Sequence, residues 1–170
     1  MSPRWLCPRT LTGAIIAAFG LAAATGLAAR TPALLLINET ASVPRGLYLR
    51  SRDPEPRLQR LVTIAQPVAA RGYLAELGVP AEMRLLKRVS AVGGQQVCAH
   101  DGLLETPGGR VAVLSRDRRG VPLPVWRDCR RLAGDELLLL GDSPTSFDGR
   151  YFGPTPRYAV EAAYSEVLRW

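Results

Sequence analysis

An uncharged run at the amino end limits the folds open to this chain more than any other feature. Residues 11–29 carry no charge, are rich in Ala, Leu and Ile, and have arginines on both sides. As a helix rising 1.5 Å per residue, the run is about 28 Å long, close to the thickness of a membrane's hydrocarbon core. We therefore interpret residues 1–30 as a signal anchor or signal peptide and residues 31–170 as the working domain.

The charges around this run indicate where the working domain lies. Arg4 and Arg9 precede the run, and no acidic residue occurs before Glu39. The positive-inside rule then keeps the amino end in the cytoplasm and sends the rest of the chain across the membrane. Small residues near positions 24 and 29 keep a cleaved leader open beside an uncleaved anchor, and a buried core helix is a third interpretation. In the first two cases the working domain is exported.

Export changes the interpretation of the cysteines. Cys98 and Cys129 fall in the exported part, and neither has the CxxC spacing of a metal site. In an oxidising compartment they can pair, and on the chain-entropy model a loop of this length stabilises the fold by about 3 to 4 kcal/mol. We favour a disulfide between them, with two free thiols as the alternative.

The basic residues are 21 arginines and a single lysine, and the two kinds have different implications. The chain has 22 basic against 15 acidic residues, a net charge of +7, which raises nucleic acid as a partner. Aromatic residues make up only 6%, however, and no nucleic-acid motif occurs, so we expect no nucleic-acid partner. In an exported domain the clustered arginines between residues 116 and 131 are better interpreted as a solvated face or a contact with anionic lipid headgroups.

Lys87 is the only lysine of the chain. A lysine that acts as a base near neutral pH needs a pKa about 2 to 3 units below its usual value, which burial can provide. Leu85, Leu86 and Val89 place Lys87 in an apolar strand, although a solvated surface lysine is the alternative. The only histidine, His100, adjoins an Asp-Gly turn, and we interpret it as a surface residue. One histidine excludes a multi-histidine metal site, and we expect neither metal nor cofactor.

The pattern of the working domain is mostly strand-like. Apolar or alternating runs bounded by turn residues predict strands, Asp101-Gly102 predicts a hairpin within residues 95–105, and residues 68–77 predict a short helix. Residues 116–124 are basic and bounded by proline, which predicts a loop. The predicted strands are residues 33–37, 46–50, 61–65, 83–92, 136–140 and 161–168. The sequence thus predicts a mainly β domain with short helices behind the amino-terminal helix.

Three blocks in this order resemble the bacterial type I signal peptidases of the serine/lysine class. They are TASVPRGLY at residues 40–48, KRVSAVGG at 87–94, and GDS at 141–143 followed by SFDGRYFG at 146–153. The short Ser-x-Pro-x-Gly-Leu-Tyr form and the compact length are most similar to the TraF branch, the conjugal-transfer peptidases that process pilin precursors. The resemblance spans residues 37–153 and implies antiparallel sheets of the signal-peptidase type.

Carried over residue by residue, the resemblance implies a serine/lysine dyad. Ser42 would be the nucleophile and Lys87 the general base. The Ser42 N–H and the Thr40 hydroxyl would donate to the oxyanion, and losing one such donor typically costs about 3 to 4 kcal/mol.

The third block would support this dyad. Ser146 matches the serine that orients the lysine amine, and Asp148 and Arg150 match residues that pair to hold the loop. Asp142 we interpret as a residue that shapes the loop. Gly149 and the pair Ser143-Pro144 depart from the general signal peptidases; these departures bear on the local shape of the loop and leave the dyad intact.

The resemblance also implies partners and a location. The substrate would be an extended segment of an exported precursor, most simply the conjugative pilin precursor, whose acyl-enzyme is resolved by water or by an amine of the same pilin. The enzyme would work in the periplasm or on the periplasmic face of the bacterial inner membrane. A general leader peptidase and a non-enzymatic assembly protein of a secretion apparatus remain alternatives.

Overall fold

Two antiparallel sheets dominate residues 31–170, the part of the chain that the computed structural model describes. The predicted anchor or leader at residues 1–30 lies outside this part. Within it, no helix is long and apolar enough to cross a membrane. The larger sheet has seven strands: β1 (Leu35–Asn38), β2 (Gly46–Arg50), β3 (Leu61–Ile64), β4 (Leu85–Val92), β9 (Glu136–Leu140), β10 (Thr155–Pro156) and β11 (Val160–Arg169). The smaller sheet has four: β5 (Gln96–His100), β6 (Leu103–Thr106), β7 (Gly109–Ala112) and β8 (Cys129–Arg131).

The order of the larger sheet differs from the order of the chain. Its strands run β1-β2-β11-β3-β4-β9-β10, and every neighbouring pair is antiparallel. The last strand, β11, therefore lies between β2 and β3. Strand β1 pairs only with β2, so one of its edges has no strand partner within the described sheet.

Strand β9 lies at the centre of the core, which explains its unbroken run of leucines. Leu137 and Leu139 pack in a cluster with Val89 of the neighbouring β4 and with Val62 and Ile64 of β3. Leu138 and Leu140 face the opposite way, into a cluster that includes Val97 and Leu104 of the smaller sheet. A strand covered on both faces loses the usual alternation of polar and apolar residues.

The helices are short. Helix α1 (Val68–Glu76) ends one residue earlier than the sequence predicts, and Gly78 follows it with a positive φ of 72°. Helix α2 (Gly149–Phe152) and a 3₁₀ turn (Arg157–Ala159) follow β9. Helix α2 is not predictable from the sequence, because a single turn has no amphipathic period.

The smaller sheet contains the predicted hairpin and two strands that were not predicted. Asp101 and Gly102 both have positive φ, at 48° and 74°, as expected of the tight turn between β5 and β6. Strands β7 and β8 are only four and three residues long, too short to show an alternating pattern. Cys98 of β5 and Cys129 of β8 lie directly opposite each other and are joined by a disulfide.

Candidate active site

The turn between β1 and β2 carries Ser42. Its Oγ lies 3.0 Å from the Thr40 Oγ1. Its carbonyl oxygen accepts hydrogen bonds from the backbone N–H groups of Asp142 at 2.6 Å and Ser143 at 3.4 Å. These two residues belong to the loop after β9, so the hydrogen bonds attach the serine turn to the third of the three blocks.

Lys87 lies on β4 with its amine inside the protein. The side chain is only 4% exposed, and Nζ donates a hydrogen bond to the Ser146 Oγ at 3.0 Å. Burial lowers the pKa of Lys87 to about 8; the carboxylates of Asp148 and Asp142 oppose this shift, and the Arg150 guanidinium adds to it. A lysine with this pKa is partly neutral near pH 8 and can accept a proton.

One cleft of about 710 Å³ brings Ser42, Thr40, Lys87 and Ser146 together. Among the described residues, the hydrogen bonds of Ser42 Oγ and Lys87 Nζ run to Thr40 and Ser146 and not to each other. Catalytic hydrogen bonds are often long before substrate binds. Two residues that line the same cleft can therefore act together although no hydrogen bond joins them. A peptide bound in this cleft would lie beside both the Ser42 hydroxyl and the Lys87 amine.

Gly141 is the point at which the serine turn and the loop after β9 meet. A Cβ on Gly141 would collide with the Ser146 Oγ and would lie 2.6 Å from the Ser42 carbonyl oxygen. The absence of a side chain thus lets the Ser42 turn and the Ser146 side chain approach each other. This requirement explains the glycine that begins the GDS motif.

A buried ion pair supports the loop that carries Ser146. Asp148 and Arg150 are 0% and 2% exposed, and Arg150 Nη2 lies 2.6 Å from Asp148 Oδ2. Asp148 also accepts a hydrogen bond from the Gly141 N–H at 2.8 Å. Arg150 donates to the carbonyl oxygens of Ser143 and Pro144 at 2.8 and 3.0 Å. The pair therefore connects both ends of the loop from residue 141 to residue 150.

Asp142 has a partner that the sequence analysis did not identify. Arg88 donates to both carboxylate oxygens of Asp142, at 2.8 and 2.7 Å, and to the Gln59 carbonyl oxygen at 2.9 Å. The interpretation of Asp142 as a loop-shaping residue agrees with this contact. The only sequence signal for Arg88 was its position next to Lys87.

Asn38 is a second residue that the sequence analysis missed. It ends β1, is 6% exposed, and hydrogen-bonds to several atoms of the serine turn. A buried polar residue after an apolar run was the available signal, since a buried amide needs partners.

The remaining sequence candidates lie apart from this cleft. His100 ends β5, is half exposed, and lies 3.5 Å from the Asp101 carboxylate and 3.7 Å from that of Glu105. It lines a different cavity, which it shares with Trp126. Within residues 31–170, no group of three or more His, Cys, Asp or Glu side chains is arranged to hold a metal ion.

The pKa of Lys87 predicts the pH dependence of catalysis by this site. As the general base that the resemblance implies, Lys87 would have to be neutral, so we expect kcat/KM to rise about tenfold per pH unit below pH 8 and to level off above it. Peptide cleavage measured between pH 6 and pH 10 tests this. The His100→Ala variant is the control and should keep the same profile. An acid limb that disappears in His100→Ala would instead assign the base to His100.

This chain is similar to one protein family and to two plasmid transfer proteins. The family model described as "Signal peptidase, peptidase S26" matches residues 10–169. A plasmid transfer protein TraF from Escherichia coli is 35% identical over 146 residues, which cover 79% of this chain and 82% of that protein. Another plasmid transfer protein TraF from Escherichia coli is 31% identical over 174 residues, which cover 95% and 97%.

A solved structure also matches, more distantly. It is a signal peptidase I from Enterococcus faecalis, with 22% identity and a TM-score of 0.39, and the match covers 64% of this chain and 96% of that one. A likeness of this size supports no conclusion about the site.

Proposed function

Because this chain belongs to the S26 family of signal peptidases, we propose that it is a serine endopeptidase in which Ser42 is the nucleophile and Lys87 the general base. One observation carries the assignment of the dyad. The only lysine of the chain is buried in the wall of the cleft that Ser42 lines, with its pKa lowered to about 8. Arginine could not take this role, because its guanidinium stays protonated.

The first half of the reaction forms an acyl-enzyme. Neutral Lys87 takes the proton of the Ser42 hydroxyl, and the Ser42 Oγ attacks the scissile carbonyl carbon. The Ser42 N–H and the Thr40 hydroxyl donate to the oxygen that becomes negative. The tetrahedral intermediate then collapses, the peptide C–N bond breaks, and protonated Lys87 gives its proton to the leaving amine. Ser146, which accepts a hydrogen bond from Lys87, holds the amine in position during both transfers.

The second half releases the acyl group. Water, or an amine of the same substrate, attacks the ester carbonyl while Lys87 accepts its proton. Lys87 then returns that proton to the Ser42 Oγ as the ester bond breaks. Water gives a linear product, and an internal amine gives a cyclic one that is lighter by one water molecule.

We propose that the substrate is an extended segment of an exported precursor, with the conjugative pilin precursor of plasmid transfer as the main candidate. Two relatives that are plasmid transfer proteins support this choice. The edge of β1 that has no strand partner in the described sheet offers backbone groups for strand addition. Leu36 and Leu86 of the cleft wall favour apolar side chains. Such a substrate places the enzyme at the periplasmic face of the inner membrane.

Processing of a defined precursor tests this function. We expect the chain, co-expressed with the conjugative pilin precursor, to shorten that precursor and to leave a general secretory precursor uncut. Mass spectrometry of the product distinguishes linear from cyclic pilin. Equal cleavage of both precursors would favour a general leader peptidase. Assembly activity without any cleavage would favour a non-enzymatic assembly protein.

A further inference from the structure

We propose that Asn38 is a positioning residue that holds the Thr40 hydroxyl ready to stabilise the oxyanion, an inference that rests on the proposed function. Asn38 touches neither Ser42 nor Lys87 through any hydrogen bond of the described residues. Its effect on the reaction would pass through Thr40. Neither the motifs nor the comparisons assign a role to this residue.

The amide nitrogen and the amide oxygen of Asn38 make different contacts. The Nδ2 group donates to the carbonyl oxygens of Thr40, Val43 and Pro44, at 2.8, 3.0 and 3.0 Å. These contacts span the serine turn and fix its backbone. The Oδ1 atom accepts from the Thr40 N–H at 3.2 Å and from the Thr40 Oγ1 at 2.8 Å. The donating end thus holds the turn, and the accepting end holds one residue.

The position of one proton follows from these contacts. A threonine hydroxyl has a single proton, and Thr40 donates it to the Asn38 Oδ1. The hydrogen bond between Thr40 Oγ1 and Ser42 Oγ, at 3.0 Å, must then be donated by Ser42. In the resting site the serine proton therefore points towards Thr40.

Substrate binding requires this chain of hydrogen bonds to reverse. Ser42 has to turn its proton to Lys87, and Thr40 has to turn its own proton to the oxyanion. When the Thr40 hydroxyl leaves the Asn38 Oδ1, that oxygen keeps the hydrogen bond from the Thr40 N–H. The switch thus leaves no buried acceptor without a partner, which keeps its cost low. The amide holds Thr40 in place while its hydroxyl changes partner.

A double-mutant cycle between Asn38 and Thr40 tests this role. We expect Thr40→Val to lower kcat at least 100-fold, as the loss of an oxyanion donor does, with Thr40→Ser keeping most of the activity. Asn38→Ala should lower kcat strongly in the wild-type background. In the Thr40→Val background its cost should shrink by about 10-fold, since the hydroxyl that it positions is gone. KM should change less than kcat.

Gln66 offers a matched control. It is another buried amide, and it donates to the carbonyl oxygens of Pro80 and Met83 at 2.6 and 3.3 Å, away from Thr40. Gln66→Ala should cost the same factor in both backgrounds. If Asn38→Ala also costs the same factor in both, Asn38 acts only on the fold of the turn and the proposal is wrong.

Two further results keep the test decisive. If Asn38→Ala does not fold, the cycle is repeated with Asn38→Gln, which keeps both ends of the amide and displaces them by one methylene group. Its loss of kcat should then vanish in the Thr40→Val background, and an unchanged loss would overturn the proposal. A wild-type chain that does not cleave, or cleavage that survives Ser42→Ala, would remove the proposed function and this inference with it. Cleavage that requires Ser42, with an additive cycle, would remove this inference alone.

Discussion

The Lys87→Arg variant is expected to lose cleavage of its precursor, with a fall in kcat on the order of 10⁴-fold at pH 8. The reason is that arginine keeps its proton at every accessible pH and cannot take one from Ser42. Ser42→Ala should lose as much. The combined variant should be no worse than either single one, because the two residues of the proposed dyad would act as a unit.

A second variant separates loss of chemistry from loss of fold. Lys87→Met replaces the buried amine by a neutral chain of similar length. It should be inactive and yet more stable than wild type at pH 7, because the folded state no longer carries an amine whose pKa burial lowers to about 8. The sign follows from proton binding. The unfolded lysine binds its proton more tightly than the folded one, so this group opposes folding below pH 8 and ceases to do so above the unfolded pKa.

Both variants are measured by precursor cleavage and by urea unfolding at pH 7. His100→Ala is the control and should cleave at close to the wild-type rate, since His100 lies outside the cleft. Full processing by Lys87→Arg would exclude Lys87 as the base.

The second large effect is expected on stability. Asp148→Ala leaves the Arg150 guanidinium buried without its carboxylate, and breaking a buried pair in this way costs about 3 to 5 kcal/mol. It also removes the acceptor for the Gly141 N–H. Urea unfolding monitored by circular dichroism measures the change. Because this pair holds the loop of Ser146, cleavage should fall as well.

An exposed pair provides the comparison. Glu161 and Arg84 also lie 2.6 Å apart, but both side chains are partly in solvent. Glu161→Ala should cost less than about 1 kcal/mol, as surface pairs do. If Asp148→Ala costs no more than Glu161→Ala, the buried pair does not support the loop.

The sequence predicted those parts of the fold that depend on local pattern. The leucine run at residues 136–140, the Asp101-Gly102 hairpin and the apolar setting of Lys87 each follow from a few adjacent residues. Mainly antiparallel β structure is what the described residues show. Strands β7, β8 and β10 were not predicted, because such short segments become strands only through their neighbours in the sheet.

The site was predictable only in part, for a related physical reason. Ser42 and Lys87 are far apart in the chain, and no periodicity indicates that they share a cleft. The resemblance brought them together as a hypothesis. The contact from Arg88 to Asp142 joins two segments 54 residues apart, and no single-sequence pattern reports that they meet.

The place of β11 in the larger sheet has a consequence for how the chain folds. This strand, residues 160–169, hydrogen-bonds to β2 on one side and to β3 on the other. Within the described residues, the β1–β2 hairpin that carries Ser42 and the β3–β4 pair that carries Lys87 are therefore joined into one sheet only by β11. Its contact with β2 is long-range, since Tyr164 pairs with Arg50, and pairing of this kind slows folding. Loss of β11 alone would thus separate the turn of Ser42 from the strand of Lys87 and leave both residues unchanged.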